Sequence, residues 1–113
     1  MKPHEVTKEI YQVGGGRLTS PEDAAVYLIN INGHAALVDA GSGHSTEQLI
    51  KNLRLCNVES DHIEYILLTH CHYDHTGGVN SLKKKLYKCA VVAHELDAVY
   101  LERGDNIVTA AKW

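Results

Sequence analysis

The sequence lacks the long apolar run that a membrane span or an export signal requires. Its first ten residues carry two lysines and two glutamates, so no signal peptide is expected there. The most apolar stretch, residues 24–31, contains Asn30 and is far shorter than the ~20 residues that cross a bilayer. We therefore expect neither export nor contact with a membrane.

Cysteine and positive charge are also scarce. The three cysteines are an odd number, and without an export signal they are expected to be reduced thiols in the cytoplasm. Eleven Lys and Arg against fourteen Asp and Glu give a net charge of −3. The one cationic run, residues 83–85, fits the solvated end of a helix. No predicted element carries the basic stripe of a nucleic-acid-binding protein, so no nucleic-acid partner is expected.

The chain also lacks the features that mark a boundary between domains. It has two prolines, no internal repeat and no tract rich in proline or serine that would form a linker. Hydrophobic residues make up 44% and charged residues 22% of the chain, a composition typical of folded globular proteins. We therefore expect residues 1–113 to form one folded unit.

What is present is an alternation of strand and helix patterns. Residues 24–31 and 35–39 are rich in β-formers and flank Asn32-Gly33, a pair that favours a type I′ hairpin turn. Ser45 and Gln48 have capping-box spacing, which predicts a helix ending near residue 57. Further predictions are a short strand at 9–13, buried strands at 63–69 and 89–93, a helix opened by Gly77-Gly78, and a helix at 95–103 stopped by Gly104. This order predicts an α/β protein with helices packed on a sheet.

Four metal-binding side chains fall within six positions directly after a predicted strand. His70 and His72 are two apart, so both side chains are expected on one face, while Cys71 points away into the core. Asp74 and His75 follow and can reach the same ion or a neighbouring one. Imidazole nitrogen and carboxylate oxygen are the usual ligands of catalytic zinc, and two-metal hydrolases hold their ions about 3.5–4 Å apart. The pattern therefore predicts a catalytic metal site.

Two glycines follow this cluster at the start of the next predicted helix. Because Gly77 and Gly78 have no Cβ, we expect them to let a substrate or a metal-bound hydroxide approach the backbone. Four other histidines are expected to be surface or loop residues: His4, His34, His44 and His62. His94 follows a predicted strand and so could face the site, but it is not counted among the expected ligands.

Two segments resemble a known family. Residues 69–78, Thr-His-Cys-His-Tyr-Asp-His-Thr-Gly-Gly, resemble the H-x-H-x-D-H motif of the metallo-β-lactamase superfamily. Residues 37–41, Leu-Val-Asp-Ala-Gly, resemble its upstream aspartate-glycine motif and occur in the right order. The resemblance extends from the hairpin to His94 and is strongest to the glyoxalase II-like hydrolases.

The resemblance implies an αββα fold, of which this chain is the N-terminal half, a partial domain with a mixed sheet and helices packed on one face. It implies hydrolysis of a small-molecule thioester or ester by a metal-bound hydroxide, with one or two zinc ions, or iron as the alternative metal. His70 and His72 match the ligands of the first metal, and Asp74 and His75 match those of the second. Asp74 is also taken as catalytic, and Asp39 matches the aspartate that supports the site from behind.

The family's second half supplies further ligands, and this sequence ends before them. We therefore expect at most two ligands per ion and weak metal binding by this chain alone. We also expect an exposed sheet face that a second copy of the chain covers in a homo-oligomer. Two alternatives stay open. One is a half-domain without activity that serves as a weak metal-binding, interaction or folding unit, and the other is a relative of the persulfide dioxygenases or nucleases, which share the motif.

Overall fold

A computed structural model describes residues 1–86 and 88–103. The strands are β1 (His4–Thr7), β2 (Ile10–Gly14), β3 (Val26–Ile31), β4 (His34–Val38), β5 (Ile63–Leu67) and β6 (Ala90–Val92). The helices are α1 (Thr46–Leu55), α2 (Tyr73–Thr76), α3 (Val79–Lys85) and α4 (Glu95–Arg103), with 3₁₀ turns at Gly16–Leu18 and Ser60–His62. The predicted elements all have a counterpart, while β1 and the single turn α2 are additions. Gly104 and the segment 105–113 lie outside the described residues.

The strands form one mixed sheet in which they are ordered as in the chain, from β1 to β6. The pairs from β1 to β4 are antiparallel, whereas β5 runs parallel to both β4 and β6. Asn32 and Gly33 between β3 and β4 have φ values of 50° and 82°, the positive values that a type I′ turn needs. The predicted hairpin is therefore confirmed.

One face of the sheet is covered by α1 and α3. Leu28, Leu37 and Ile66 are neighbours across β3, β4 and β5 and have no exposed surface. Leu53 of α1 and Leu82 of α3 belong to the same buried cluster. The predicted α/β arrangement with helices on one face is confirmed. None of the helices in the described part of the chain is long and apolar enough to cross a membrane.

The opposite face, here called the outer face, is not covered by any helix of residues 1–86 and 88–103. By strand register it carries Tyr27, Ile29, Ile31, Ala36, Val38, Tyr65, Leu67 and Val92. Ile31, Tyr65 and Val92 are 42%, 48% and 46% exposed. The prediction that residues 89–93 form a buried strand is wrong, because β6 lies at the edge of the sheet and its three residues are exposed.

We propose that a second copy of the chain covers the outer face in solution, because a contiguous apolar patch promotes association. We expect Tyr65→Lys to shift the 113-residue chain toward monomer in size-exclusion chromatography with light scattering. Leu55→Lys is the matched control, because Leu55 is an exposed leucine of α1, and it should leave the profile unchanged. A strictly monomeric wild-type chain would contradict the proposal.

Helix α1 is attached to the sheet by a buried amide. The Asn52 Nδ2 group has no exposed surface and donates hydrogen bonds to the carbonyl oxygens of Val13 (2.8 Å) and Leu18 (3.0 Å). Gln48 Nε2 donates to Asn52 Oδ1 (3.0 Å). The predicted capping box is therefore wrong: the Ser45 side chain makes no capping hydrogen bond, and Gln48 turns toward Asn52 instead.

We expect Asn52→Leu to lower the free energy of unfolding by about 2 kcal/mol, because two buried carbonyls lose their donor. Gln48→Ala removes one hydrogen bond, the one to Asn52 Oδ1, and the shorter side chain at this exposed position lets water replace it, so the cost should be about 1 kcal/mol or less. Urea denaturation of both variants measures the difference. Equal losses would show that the bonds to Val13 and Leu18 do not anchor the helix.

Candidate metal centre

The structure brings together the imidazole rings of the predicted ligands. His70 and His72 lie between β5 and α2, and His75 lies in α2 itself. The ring centroids of His70 and His75 are 3.8 Å apart, and those of His70 and His72 are 4.8 Å apart with the rings almost perpendicular. His72 is exposed, whereas His70, Asp74 and His75 are half-buried. The predicted ligands therefore line one small surface next to the end of β5.

Asp39 holds this surface from behind. Its buried carboxylate accepts hydrogen bonds from the Thr69 backbone N–H (2.9 Å), the Thr69 hydroxyl (2.8 Å) and His75 Nδ1 (2.7 Å). Since a carboxylate can only accept, Nδ1 of His75 carries the hydrogen. The Nε2 lone pair of the neutral ring is then available to a ligand, which is the arrangement that metal-binding histidines use.

The distances between donor atoms limit what this surface can hold. His75 Nε2 lies 3.8 Å from Asp74 Oδ1. Two ligands of one zinc ion, each at about 2.0–2.2 Å, cannot be more than about 4.4 Å apart, so these two atoms fit one ion. Across residues 1–86 and 88–103, no group of three or more His, Cys, Asp or Glu side chains is arranged to hold a metal ion. The donor chemistry fits a metal, and Asp74 and His75 form one donor pair with suitable spacing.

Backbone hydrogen bonds join the ligand loop, here residues 68–78 between β5 and α3, to two neighbouring loops. The N–H groups of Ala40, Gly78 and Ala24 donate to the carbonyls of His75 (2.7 Å), Gly41 (2.9 Å) and Asp74 (3.0 Å). The Thr76 hydroxyl bonds to the His72 carbonyl (3.0 Å) within the loop itself. The positions of the predicted ligands therefore depend on the segments that follow β4 and precede β3.

The expectation that Gly77 and Gly78 let a substrate approach the backbone is wrong. A Cβ on Gly77 would lie under 3.0 Å from the Ser42 carbonyl oxygen and the Tyr73 ring, and one on Gly78 would lie equally close to the Ala40 carbonyl oxygen. Real Cβ atoms essentially never come so close to other atoms. These glycines are therefore required by the loop after β4, which packs directly against them.

Other residues named from the sequence lie elsewhere. Cys71 is buried, as expected from strand alternation. His94 accepts a hydrogen bond from the Leu96 backbone at the start of α4 (3.2 Å), and the other histidines outside the motif are exposed. Thr69 was not among the predicted site residues, although both its backbone and its hydroxyl bind Asp39. Its position directly before His70 was the available signal.

Burial determines the protonation state of two cysteine thiols near the core. Desolvation raises the pKa of both the Cys56 and the Cys89 thiol, so each is a neutral thiol at neutral pH. Neither is therefore a reactive thiolate. Cys56, Cys71 and Cys89 form no disulfide within the part of the chain that the structure describes.

Comparison with known proteins gives the family. The sequence profile of the metallo-beta-lactamase superfamily matches residues 19–112. This chain belongs to the metallo-β-lactamase superfamily. It is similar to a hydroxyacylglutathione hydrolase of Methylobacillus flagellatus, with 38% identity over 61 residues, which are 54% of this chain and 22% of that protein. It is also similar to a probable metallo-hydrolase of Methanocaldococcus jannaschii, with 27% identity over 85 residues, 75% of this chain and 39% of that protein.

Solved structures of the superfamily have the same fold. BJP-1, a subclass B3 metallo-β-lactamase of Bradyrhizobium japonicum, superposes with a TM-score of 0.77 at 33% identity and covers 92% of this chain, which matches 37% of that protein. The chain thus spans between about a fifth and two fifths of the length of these superfamily relatives. The expected half of a metallo-β-lactamase fold is confirmed as far as the matched residues extend.

Proposed function

We propose that this chain is the ligand-bearing N-terminal part of a metal-dependent hydrolase that acts on a small-molecule thioester or ester. Membership of the metallo-β-lactamase superfamily supports the reaction class. The similarity to a protein named hydroxyacylglutathione hydrolase favours a thioester over other substrates. The proposed location is the cytoplasm, where reducing conditions suit cysteines that form no disulfide in the described residues.

The observation that carries the proposal is the hydrogen bond between Asp39 and His75. It leaves His75 Nε2 free to bind, 3.8 Å from a carboxylate oxygen of Asp74. The buried Asp39 carboxylate thus fixes the Nδ1 side of His75, and a second possible metal ligand, Asp74, lies near its Nε2 side. A polar loop that binds no ligand has no need of this arrangement. Carboxylate–histidine pairs of this kind orient metal ligands and raise their basicity.

The predicted ligand set divides into two pairs. His75 and Asp74 would hold one ion, and His70 and His72 would hold another, with zinc as the proposed metal and iron as the alternative. A bound metal ion supplies an activated water nucleophile and polarises the scissile carbonyl group. Asp74 is the proposed catalytic residue, because its half-buried carboxylate lies 3.8 Å from His75 Nε2, next to the proposed ion.

We expect His75→Ala and Asp74→Ala each to weaken zinc binding by more than about tenfold, because each removes one of two paired donors. Competition with a chelating dye at fixed zinc measures the affinity of the 113-residue chain. His62→Ala is the matched control, since His62 is an exposed histidine outside the loop, and it should leave the affinity unchanged. Zinc binding that is equal in wild type and Asp74→Ala would refute the proposed pair.

A second candidate is a half-domain that binds metal weakly and has no activity of its own. The lack of any three-donor group among the described residues and the short span relative to superfamily members favour it. Assay of hydroxyacylglutathione hydrolysis with added zinc separates the two candidates. Zinc-dependent turnover that is lost in Asp74→Ala supports the hydrolase, whereas zinc binding with no turnover shows that the chain has no activity of its own, as the half-domain candidate requires.

A further inference from the structure

A second polar cluster joins the loop before β3 to the loop after β4. Asp23 Oδ1 accepts hydrogen bonds from the Ser42 backbone N–H (2.8 Å) and the Ser42 hydroxyl (2.5 Å), and Asp23 Oδ2 accepts one from the Thr19 hydroxyl (2.6 Å). The Ser42 Oγ atom lies 2.7 Å from His44 Nδ1. Ser42 is 2% exposed, so water does not compete for these bonds.

The hydrogens and lone pairs that each group of this cluster possesses determine which atom donates in each hydrogen bond. A serine hydroxyl has one hydrogen and two acceptor lone pairs, and a carboxylate has no hydrogen to give. The Ser42 hydrogen therefore points to Asp23. The oxygen of Ser42 is left as an acceptor, so the hydrogen between Ser42 and His44 must come from His44 Nδ1.

This assignment determines the other side of the imidazole ring. When Nδ1 of a neutral histidine carries the hydrogen, Nε2 has a free lone pair. His44 is exposed and borders a polar cavity of about 470 Å³, which is also lined by Ser45, Lys51, Ser81 and Lys85. A ligand in this cavity can therefore reach the His44 side chain, whose Nε2 atom carries the free lone pair.

The cluster lies beside the candidate metal centre. Gly43 lies against Gly77, since a Cβ on Gly43 would be 3.1 Å from the Gly77 carbonyl oxygen. The His44 ring meets the Tyr73 ring edge-on with 6.2 Å between centroids, and Tyr73 directly precedes the predicted ligand Asp74. His44 and His75 thus have similar hydrogen bonds. His75 Nδ1 donates directly to the Asp39 carboxylate, and His44 Nδ1 donates to Ser42, which in turn donates to the Asp23 carboxylate.

We propose that Asp23 and Ser42 are positioning residues that hold His44 in the Nδ1–H form, so that His44 Nε2 accepts a hydrogen bond from an N–H or O–H group of a ligand. This goes beyond the proposed hydrolase function, and its test needs neither activity nor bound metal. The exposed position expected for His44 from the sequence is correct, but its ring is held by a buried serine rather than being an unconstrained surface group.

The form of the ring can be read by ¹⁵N-detected NMR of the histidine side chains in the metal-free 113-residue chain. The spectrum is recorded at about pH 8, where an ordinary histidine is neutral. His44→Gln removes one pair of ring signals and so assigns His44. We expect the wild-type chain to show His44 with its hydrogen on Nδ1, and Ser42→Ala to lose that form because Nδ1 has no acceptor left.

Ser45→Ala is the matched control, because Ser45 lines the same cavity without contacting the His44 ring nitrogen. It should leave the His44 signals unchanged. A wild-type His44 that carries its hydrogen on Nε2 overturns the proposal, as does an unchanged Nδ1–H form in Ser42→Ala. If Ser42→Ala does not fold, the wild-type spectrum alone still decides between the two forms.

Discussion

Gly78→Ala is expected to lower the free energy of unfolding by about 3 kcal/mol or more, a typical upper value for overpacking a tight site. The backbone of Gly78 has a φ of −82°, which suits any residue, so conformational preference does not explain the need for glycine. The added Cβ would instead collide with the carbonyl oxygen of Ala40. For a domain of this size each kcal/mol of lost stability lowers Tm by about 4–8 °C, so the Tm of Gly78→Ala should be lower than that of the wild type by more than about 12 °C.

Gly16→Ala is the matched comparison. Gly16 has a φ of +53°, which is unfavourable for alanine, but a Cβ there meets nothing within 4 Å. Its cost should be about 1–2 kcal/mol, the usual penalty of a left-handed conformation for a residue other than glycine. If Gly16→Ala proves more destabilising than Gly78→Ala, the close approach between the loop after β4 and the ligand loop is not a main source of stability.

Local sequence patterns predicted most of the fold because they depend on neighbouring residues. Asn32-Gly33 adopts the turn that its two residue types favour, and β3 and β4 pair as the predicted hairpin. β1 could not be predicted, because all four of its residues are exposed and the strand carries no alternation. The exposure of β6 follows from its place at the sheet edge, which depends on strand order and not on its own residues.

The candidate site was predictable to the extent that it is one short motif. The sequence brought His70, His72, Asp74 and His75 together within six positions, and the resemblance added Asp39. The contacts that join distant segments were not predictable from spacing. Ser42 reaches Asp23 across 19 positions, and Gly77 and Gly78 face carbonyls of the loop after β4. The role expected for the two glycines was wrong for this reason, because no local pattern shows which chain segment approaches them.

Asp39→Asn is expected to weaken zinc binding about 10–100-fold while leaving most of the stability intact. Asparagine has the size of aspartate and tolerates the positive φ of 68° at this position. Its Oδ1 must face the Thr69 backbone N–H, because an amide nitrogen there would oppose another donor. The new side-chain N–H₂ group therefore faces His75 Nδ1 and donates to it, which moves the imidazole hydrogen to Nε2 and removes the lone pair that a metal needs.

Asp39→Ala separates this effect from simple loss of structure. Alanine leaves the Thr69 and His75 donors without an acceptor and carries the strained φ, so the free energy of unfolding should fall by roughly 2–3 kcal/mol along with the zinc affinity. Urea denaturation and dye competition are measured on both variants, with Asp61→Asn as an exposed control. A carboxylate that only supports the fold would make Asp39→Asn bind zinc like the wild type. Weak zinc binding by a stable Asp39→Asn variant would instead show that Asp39 acts on the site by setting which nitrogen of His75 is free.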